Sequence, residues 1–104
     1  MIARLWRGTA TAANAPAYRR HFSETVVPQL EALPGHRGAW LLQRESGDGV
    51  ELLALTLWES LDAIRSFAGP DAEAAVVEPA ALAVLSEAEP FARHFEIVHG
   101  GPPA

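Results

Sequence analysis

The stretch Val50 to Ser60, VELLALTLWES, decides the fold. Its even positions are Val50, Leu52, Ala54, Thr56 and Trp58, and its odd positions are Glu51, Leu53, Leu55 and Leu57. Successive side chains of an extended chain point to opposite faces, so beyond Glu51 this segment is apolar on both. A strand of that kind must be covered twice. Helix is the competing assignment, but the run is short, follows a glycine-rich turn and ends at a serine suited to cap a helix.

Working outward, His36 to Arg44 (HRGAWLLQR) supplies a partner strand, joined to the first through Glu45, Ser46, Gly47, Asp48 and Gly49. With Gly47 as the turn centre, Leu42 pairs with Leu52 and Trp40 with Ala54. That register predicts one face carrying His36, Gly38, Trp40, Leu42, Thr56 and Trp58. The other face then carries Ala39, Leu41, Leu53, Leu55 and Leu57.

Residues Ile2 to Arg7 alternate and predict a first strand, with Gly8 to Ala13 turning the corner. A helix follows, capped by Asn14 and carrying Pro16 in its first turn, where a missing N–H costs nothing. Tyr18, Phe22, Val26, Leu30 and Leu33 form its apolar stripe. Pro28 removes the bond to the Glu24 carbonyl and predicts a bend. Ser60 caps a second main helix with Leu61, Ile64, Phe67 and Ala68 as its stripe. Asp71 predicts a short helical turn through Val76 and Val77, Pro79 predicts another through Leu82 and Leu85, and Phe91 to His99 predicts a closing strand.

The order βαββαβ predicts an α+β, ferredoxin-like domain over residues 1–99, with a four-stranded antiparallel sheet and a disordered tail over 100–104. Two helices cover one face of such a sheet. The apolar side chains on the other face need a second copy of the chain, so a homodimer is expected.

Composition narrows the function classes. With 104 residues there is one domain, and an apolar fraction of 49% with no bilayer-length apolar run predicts a globular protein with no membrane partner. The start, MIARLWRG, lacks a secretion signal, so a cytoplasmic location is expected. The absence of cysteine excludes disulfides, thiolate metal sites and a Cys nucleophile. Eight scattered arginines against thirteen acids leave a net charge of −5, which argues against nucleic acid as a partner.

The segments MIARLWRG, Pro34-Gly35-His36-Arg37-Gly38, Leu55 to Ala63 (LTLWESLDA) and Arg93-His94-Phe95-Glu96 together resemble the antibiotic biosynthesis monooxygenase (ABM) domain over nearly the whole chain. The resemblance implies a dimeric α/β barrel with a pocket in each subunit between sheet and helices. It further implies kinship with cofactor-free oxygenases of aromatic polyketides, with haem-degrading enzymes and with members of no assigned function. The haem-degrading branch uses an Asn on the first strand, a Trp within the second main helix and a His just after it as iron ligand. Here Ala3 to Arg7 contains no Asn, Phe67 stands in place of the Trp, and Val76 or Val77 in place of the His. On that ground the chain is not expected to be a haem-degrading enzyme.

In a cofactor-free oxygenase the substrate anion reduces dioxygen, so no cofactor and no metal are expected; the protein supplies a base and an oriented, dry pocket. His21, one turn from Tyr18, and His36, at a strand start, are the candidate bases, while a surface His beside a core Tyr and a turn-capping His are the competing readings. Arg4 and Arg7 are candidates to hold a substrate carboxylate or enolate, with Tyr18, Trp40, Trp58 and Phe67 as aromatic walls. Trp6 is a further candidate for stacking, and His94 resembles His36 in its strand position. Arginines on a first strand also pair with acids, and strand tryptophans also serve as core or interface. The resulting expectation is a monooxygenase acting on a small phenolic compound with dioxygen; the alternative is a non-catalytic dimeric module that binds a small apolar molecule.

Overall fold

A computed structural model describes residues 1–101. Of the tail expected over 100–104, residues 102–104 lie outside the described residues. Strand β1 (Ile2–Thr11) turns into a helix of three consecutive pieces, α1 (Ala15–His21), a π-helical stretch (Phe22–Val26) and α2 (Val27–Glu31). Strands β2 (His36–Ser46) and β3 (Gly49–Trp58) form a hairpin, followed by α3 (Leu61–Ala68), α4 (Pro79–Leu82), β4 (Glu87–Ala88) and β5 (Arg93–Glu96). The sheet order is β2-β3-β1-β4, with β5 also on β1 and every pair antiparallel. This is the expected α+β, ferredoxin-like arrangement, with the fourth strand split in two.

The split corrects the expected closing strand. Gly8 and Thr9 face β4, while Ile2 to Leu5 face β5. Between the two, Phe91 bridges Ala74 and the Ala92 N–H donates to the Glu73 carbonyl at 2.8 Å. β1 is longer than expected as well, because Gly8 to Thr11 pair with Leu52 back to Gly49 instead of turning. Burial of Val50 and Leu52 on the neighbouring strand outweighs the weak strand preference of glycine and alanine.

The hairpin register is one residue away from the expected one. Leu42 pairs with Leu53 and Trp40 with Leu55, because the turn is a two-residue loop, Gly47-Asp48, closed by Ser46 opposite Gly49. Gly47 has φ 60° and Asp48 a negative φ, the backbone signs of a type II′ turn with glycine at its first central position. The slip moves Trp40 and Leu42 to the face of Leu53, Leu55 and Leu57, and brings Ala39 and Leu41 beside Thr56 and Ala54. A bulge between His36 and Gly38 returns His36 to the Trp58 face.

The first helix accommodates Pro28 by widening. The Val27 N–H bonds the Phe22 carbonyl five residues back, so the proline follows a π turn in which its ring escapes the clash an α-helix would impose. Ser60 Oγ accepts from the Ala63 N–H at 3.1 Å and caps α3, as expected. Leu61 departs from the expected stripe and is exposed. The helical turn expected from Asp71 is absent: Asp71 Oδ1 accepts from the Glu73 N–H at 3.0 Å, a local turn that directs Ala74 into its bridge with Phe91.

The two sheet faces differ. Toward the helices, Trp6, Tyr18, Phe22 and Leu52 form one core cluster and Leu30, Trp58 and Ile64 another. The outer face has no such cover: Trp40, Leu42 and Phe95 are 48%, 45% and 52% exposed. At its polar end, Arg7 Nε and Arg44 Nε each donate to Glu51 at 2.5 Å. These two hydrogen bonds hold the Glu51 carboxyl below the usual carboxylate range. The Trp40 ring lies over Gly38, where an added Cβ would meet Trp40 Cη2 at 2.8 Å.

Candidate functional site

Between the first helix and the sheet lies a cavity of about 50 Å³. β1 contributes Arg4 and Trp6 to it, the helix Tyr18, His21, Phe22 and Val26, α3 Phe67, and the segment after α3 supplies Val76, Val77 and Glu78. The volume admits on the order of three or four waters. Pockets for drug-sized ligands measure roughly 300–1,000 Å³. A ligand of that size therefore needs the walls to move apart.

The walls are aromatic. Trp6 and Tyr18 stack with centroids 6.1 Å apart and an interplanar angle of 29°. The Trp6 ring lies over Gly8, where a Cβ would meet Trp6 Cη2 at 2.7 Å, and its Nε1 donates to the Glu89 carbonyl at 2.8 Å. Burial pushes the Tyr18 hydroxyl up to about 12, so at neutral pH it is a neutral hydrogen-bond donor and not a base. The His21 ring is 6.1 Å from that of Tyr18, at the last residue of α1 before the π stretch.

Arg4 is the unusual member. It is 4% exposed, yet no carboxylate pairs with it among the described residues. Its Nη1 donates to the Ala72 carbonyl and its Nη2 to the Ala74 carbonyl at 2.7 Å. Nη1 also lies 2.8 Å from His94 Nε2, and the guanidinium sits 5.7 Å from the Phe67 ring centroid. Arginine has no acceptor atom, so His94 Nε2 must accept and the imidazole is neutral with its proton on Nδ1. Burial and the Arg4 charge both hold His94 below the ordinary imidazole value, against a pull from Glu73.

Of the residues singled out in the sequence, the structure brings Arg4, Tyr18, His21 and Phe67 to this cavity. Trp58 stands behind it, stacked on Phe67 at 5.8 Å, with its Nε1 donating to Thr56 Oγ1 at 2.8 Å. His36 packs its edge on Trp58 at 5.2 Å with a buried Nε2 that lacks a partner, outside the cavity. Arg7 and Trp40, expected beside the substrate, lie on the outer face, away from this cavity. Trp40 went astray through the one-residue register error, and Arg7 because neighbours on a strand face opposite ways. Glu78 was missed. Its only sequence signal is its place before Pro79, at the start of α4.

The sequence matches no protein-family model and no curated protein. Solved structures do match. MhuD, solved as a mutant with two manganese protoporphyrin IX molecules bound per active site, superposes with a TM-score of 0.71 at 20% identity, over 99% of this chain and 100% of its own. Rv0793 from Mycobacterium tuberculosis gives a TM-score of 0.58 at 20% identity, over 97% and 98%. Both likenesses are to the fold, an α+β, ferredoxin-like antiparallel sheet with helices. The same comparison overturns the expectation that the chain is not a haem-degrading enzyme, since MhuD, which shares the fold, is solved with manganese protoporphyrin IX in its active site. A porphyrin is held by pocket shape and apolar walls as well as by an axial ligand. Changes at three positions are thus too few to exclude it.

Proposed function

We propose that the chain is an oxygenase-type protein that binds a flat, largely aromatic molecule in the Arg4–Tyr18–His21–Phe67 cavity, and that it works as a homodimer closed over the outer sheet face. The observation that carries the reading is the cavity lining: Trp6, Tyr18 and Phe67 as aromatic walls, with the Arg4 cation and the His21 imidazole among the polar groups beside Thr56 and Glu78. In this reading His21 takes the proton of a phenol or enol, and the resulting anion reduces dioxygen. For an anthrone-like CH₂ the balance is CH₂ plus O₂ to C=O plus H₂O, so the substrate carbon supplies all the electrons. Tyr18 donates a hydrogen bond to substrate oxygen, and Trp6 and Phe67 orient the ring and exclude water.

Porphyrins belong in the same test, because they too are flat and aromatic and because a porphyrin occupies the active site of MhuD in its solved structure. Oxygen uptake is to be measured with hydroxylated anthrones, naphthols and, with a reductant, haem, using the parent and His21→Ala. Turnover of one class, reduced ~10²–10⁴-fold by His21→Ala, supports the reading with His21 as base. Binding without oxygen uptake anywhere in the panel selects the non-catalytic binding module instead.

A further inference from the structure

We propose that the ligand of this cavity is an oxyanion, and that Arg4 is both its counter-charge and the latch that holds the 70–77 segment shut until it arrives. The inference rests on the cavity reading above and names the chemical class of its occupant.

A guanidinium removed from water needs a compensating charge; without one, burial is costly. Arg4 is 4% exposed and its contacts are two backbone carbonyls and a neutral imidazole. Those acceptors satisfy hydrogen bonds and leave the charge in place. Asp71 acts on Arg4 only from a distance, and Glu78, the carboxylate on the cavity wall, forms no ion pair with it. The cavity therefore has a buried positive wall that its one lining carboxylate, Glu78, does not pair with, faced by aromatic rings. A carboxylate or an enolate on a flat ring system matches both features, and bidentate donation from arginine to an oxyanion is about twice as strong as a neutral hydrogen bond.

The same carbonyls tie one wall of the cavity to Arg4. Ala72 and Ala74 belong to the segment between α3 and α4 that walls the cavity with Val76, Val77 and Glu78. Few other bonds tie this segment down: the Ala75 N–H donates to the Pro90 carbonyl at 2.9 Å, and the Glu73 carbonyl accepts from Ala92. An oxyanion that competes for the guanidinium takes the donors that Ala72 and Ala74 now use, and so frees the segment to move away and enlarge the cavity. The differential contact that couples binding to opening is the exchange of two neutral acceptors for one charged acceptor.

The test compares naphthalene-2-carboxylate with its neutral isostere naphthalene-2-carboxamide, by tryptophan fluorescence titration, on the parent, Arg4→Lys and Arg4→Met. Amide hydrogen exchange is followed at Ala74 and Ala75. The expected result is at least tenfold tighter binding of the carboxylate by the parent, partly kept in Arg4→Lys and lost in Arg4→Met. Exchange at Ala74 and Ala75 should rise in the parent on adding the carboxylate, and in Arg4→Met without any ligand. Thermal melting of each variant checks that the rest of the fold persists. Equal binding of the two probes leaves the cavity reading standing and overturns the oxyanion assignment, as does a carboxylate preference that survives Arg4→Met. Binding of neither probe overturns both. Unchanged exchange at Ala74 and Ala75 in Arg4→Met overturns the latch.

Discussion

Arg4 Nη1 and His94 Nε2 are 2.8 Å apart, a bond that exists only while the imidazole is neutral. The folded protein thus binds a proton at His94 less readily than the unfolded chain does. Stability from this group is complete above the ordinary imidazole pKa of about 6.5 and falls as pH drops from there toward the lowered folded-state value, because the unfolded state then binds more protons. Thermal melting from about pH 8 down to about pH 5 should show this loss. His94→Gln, which still offers an acceptor, should flatten the slope in that window; an unchanged slope would place the titrating group elsewhere.

Leu53, Leu55 and Leu57 share the outer face with the exposed Trp40 and Leu42. Placing a charge at its centre, as in Leu55→Arg, should yield a folded monomer or abolish folding, while the parent sediments as a dimer at micromolar concentration. A parent that is a stable folded monomer would remove the homodimer from the proposal.

Glu51 is 7% exposed between Arg7 and Arg44, and its carboxyl is held below the usual range by both. Its contribution is present above the ordinary carboxylate pKa and disappears as pH falls through the depressed folded-state value. Glu51→Gln should therefore lower the melting temperature at neutral pH and remove part of the acid transition. If the outer face is the dimer seam, this substitution should also weaken association, because two arginines are left facing each other across a neutral amide.

Ser60 caps an eight-residue helix whose Ile64 is fully buried against Leu30 and Trp58. Ser60→Ala should cost ~0.5–2 kcal/mol in urea unfolding, and Ser60→Asp should restore most of it. Ile64→Ala, which leaves a hole in that cluster, should cost about 2–5 kcal/mol.

Strand identity was legible in β3 from a short, doubly apolar run between a glycine turn and a capping serine, and in the first six residues of β1 from period-two alternation. Ser60 announced its helix because a cap is a local device. The hairpin register was less readable: a loop with glycine at both 47 and 49 allows more than one closure, and a single-residue slip exchanges the faces of Trp40 and Leu42. Gly8 to Thr11 looked like a turn because only the partner strand makes them extended. Arg4 was legible as a residue of interest but not as a buried cation, since its partners are backbone carbonyls some 70 positions away. Three missing side-chain types misdirected the haem expectation, because what the fold admits depends on the shape of a pocket as well as on single positions.

Each face of the sheet has one tryptophan whose ring fills the space above a glycine two residues away, Trp6 over Gly8 toward the cavity and Trp40 over Gly38 on the outer side. One methyl group at either glycine would tilt the ring above it. Gly8→Ala and Gly38→Ala are thus a matched pair of uncharged wedges. The first reshapes the ligand chamber and leaves the seam untouched; the second does the reverse. Together they separate what this small domain does inside one subunit from what it does between two.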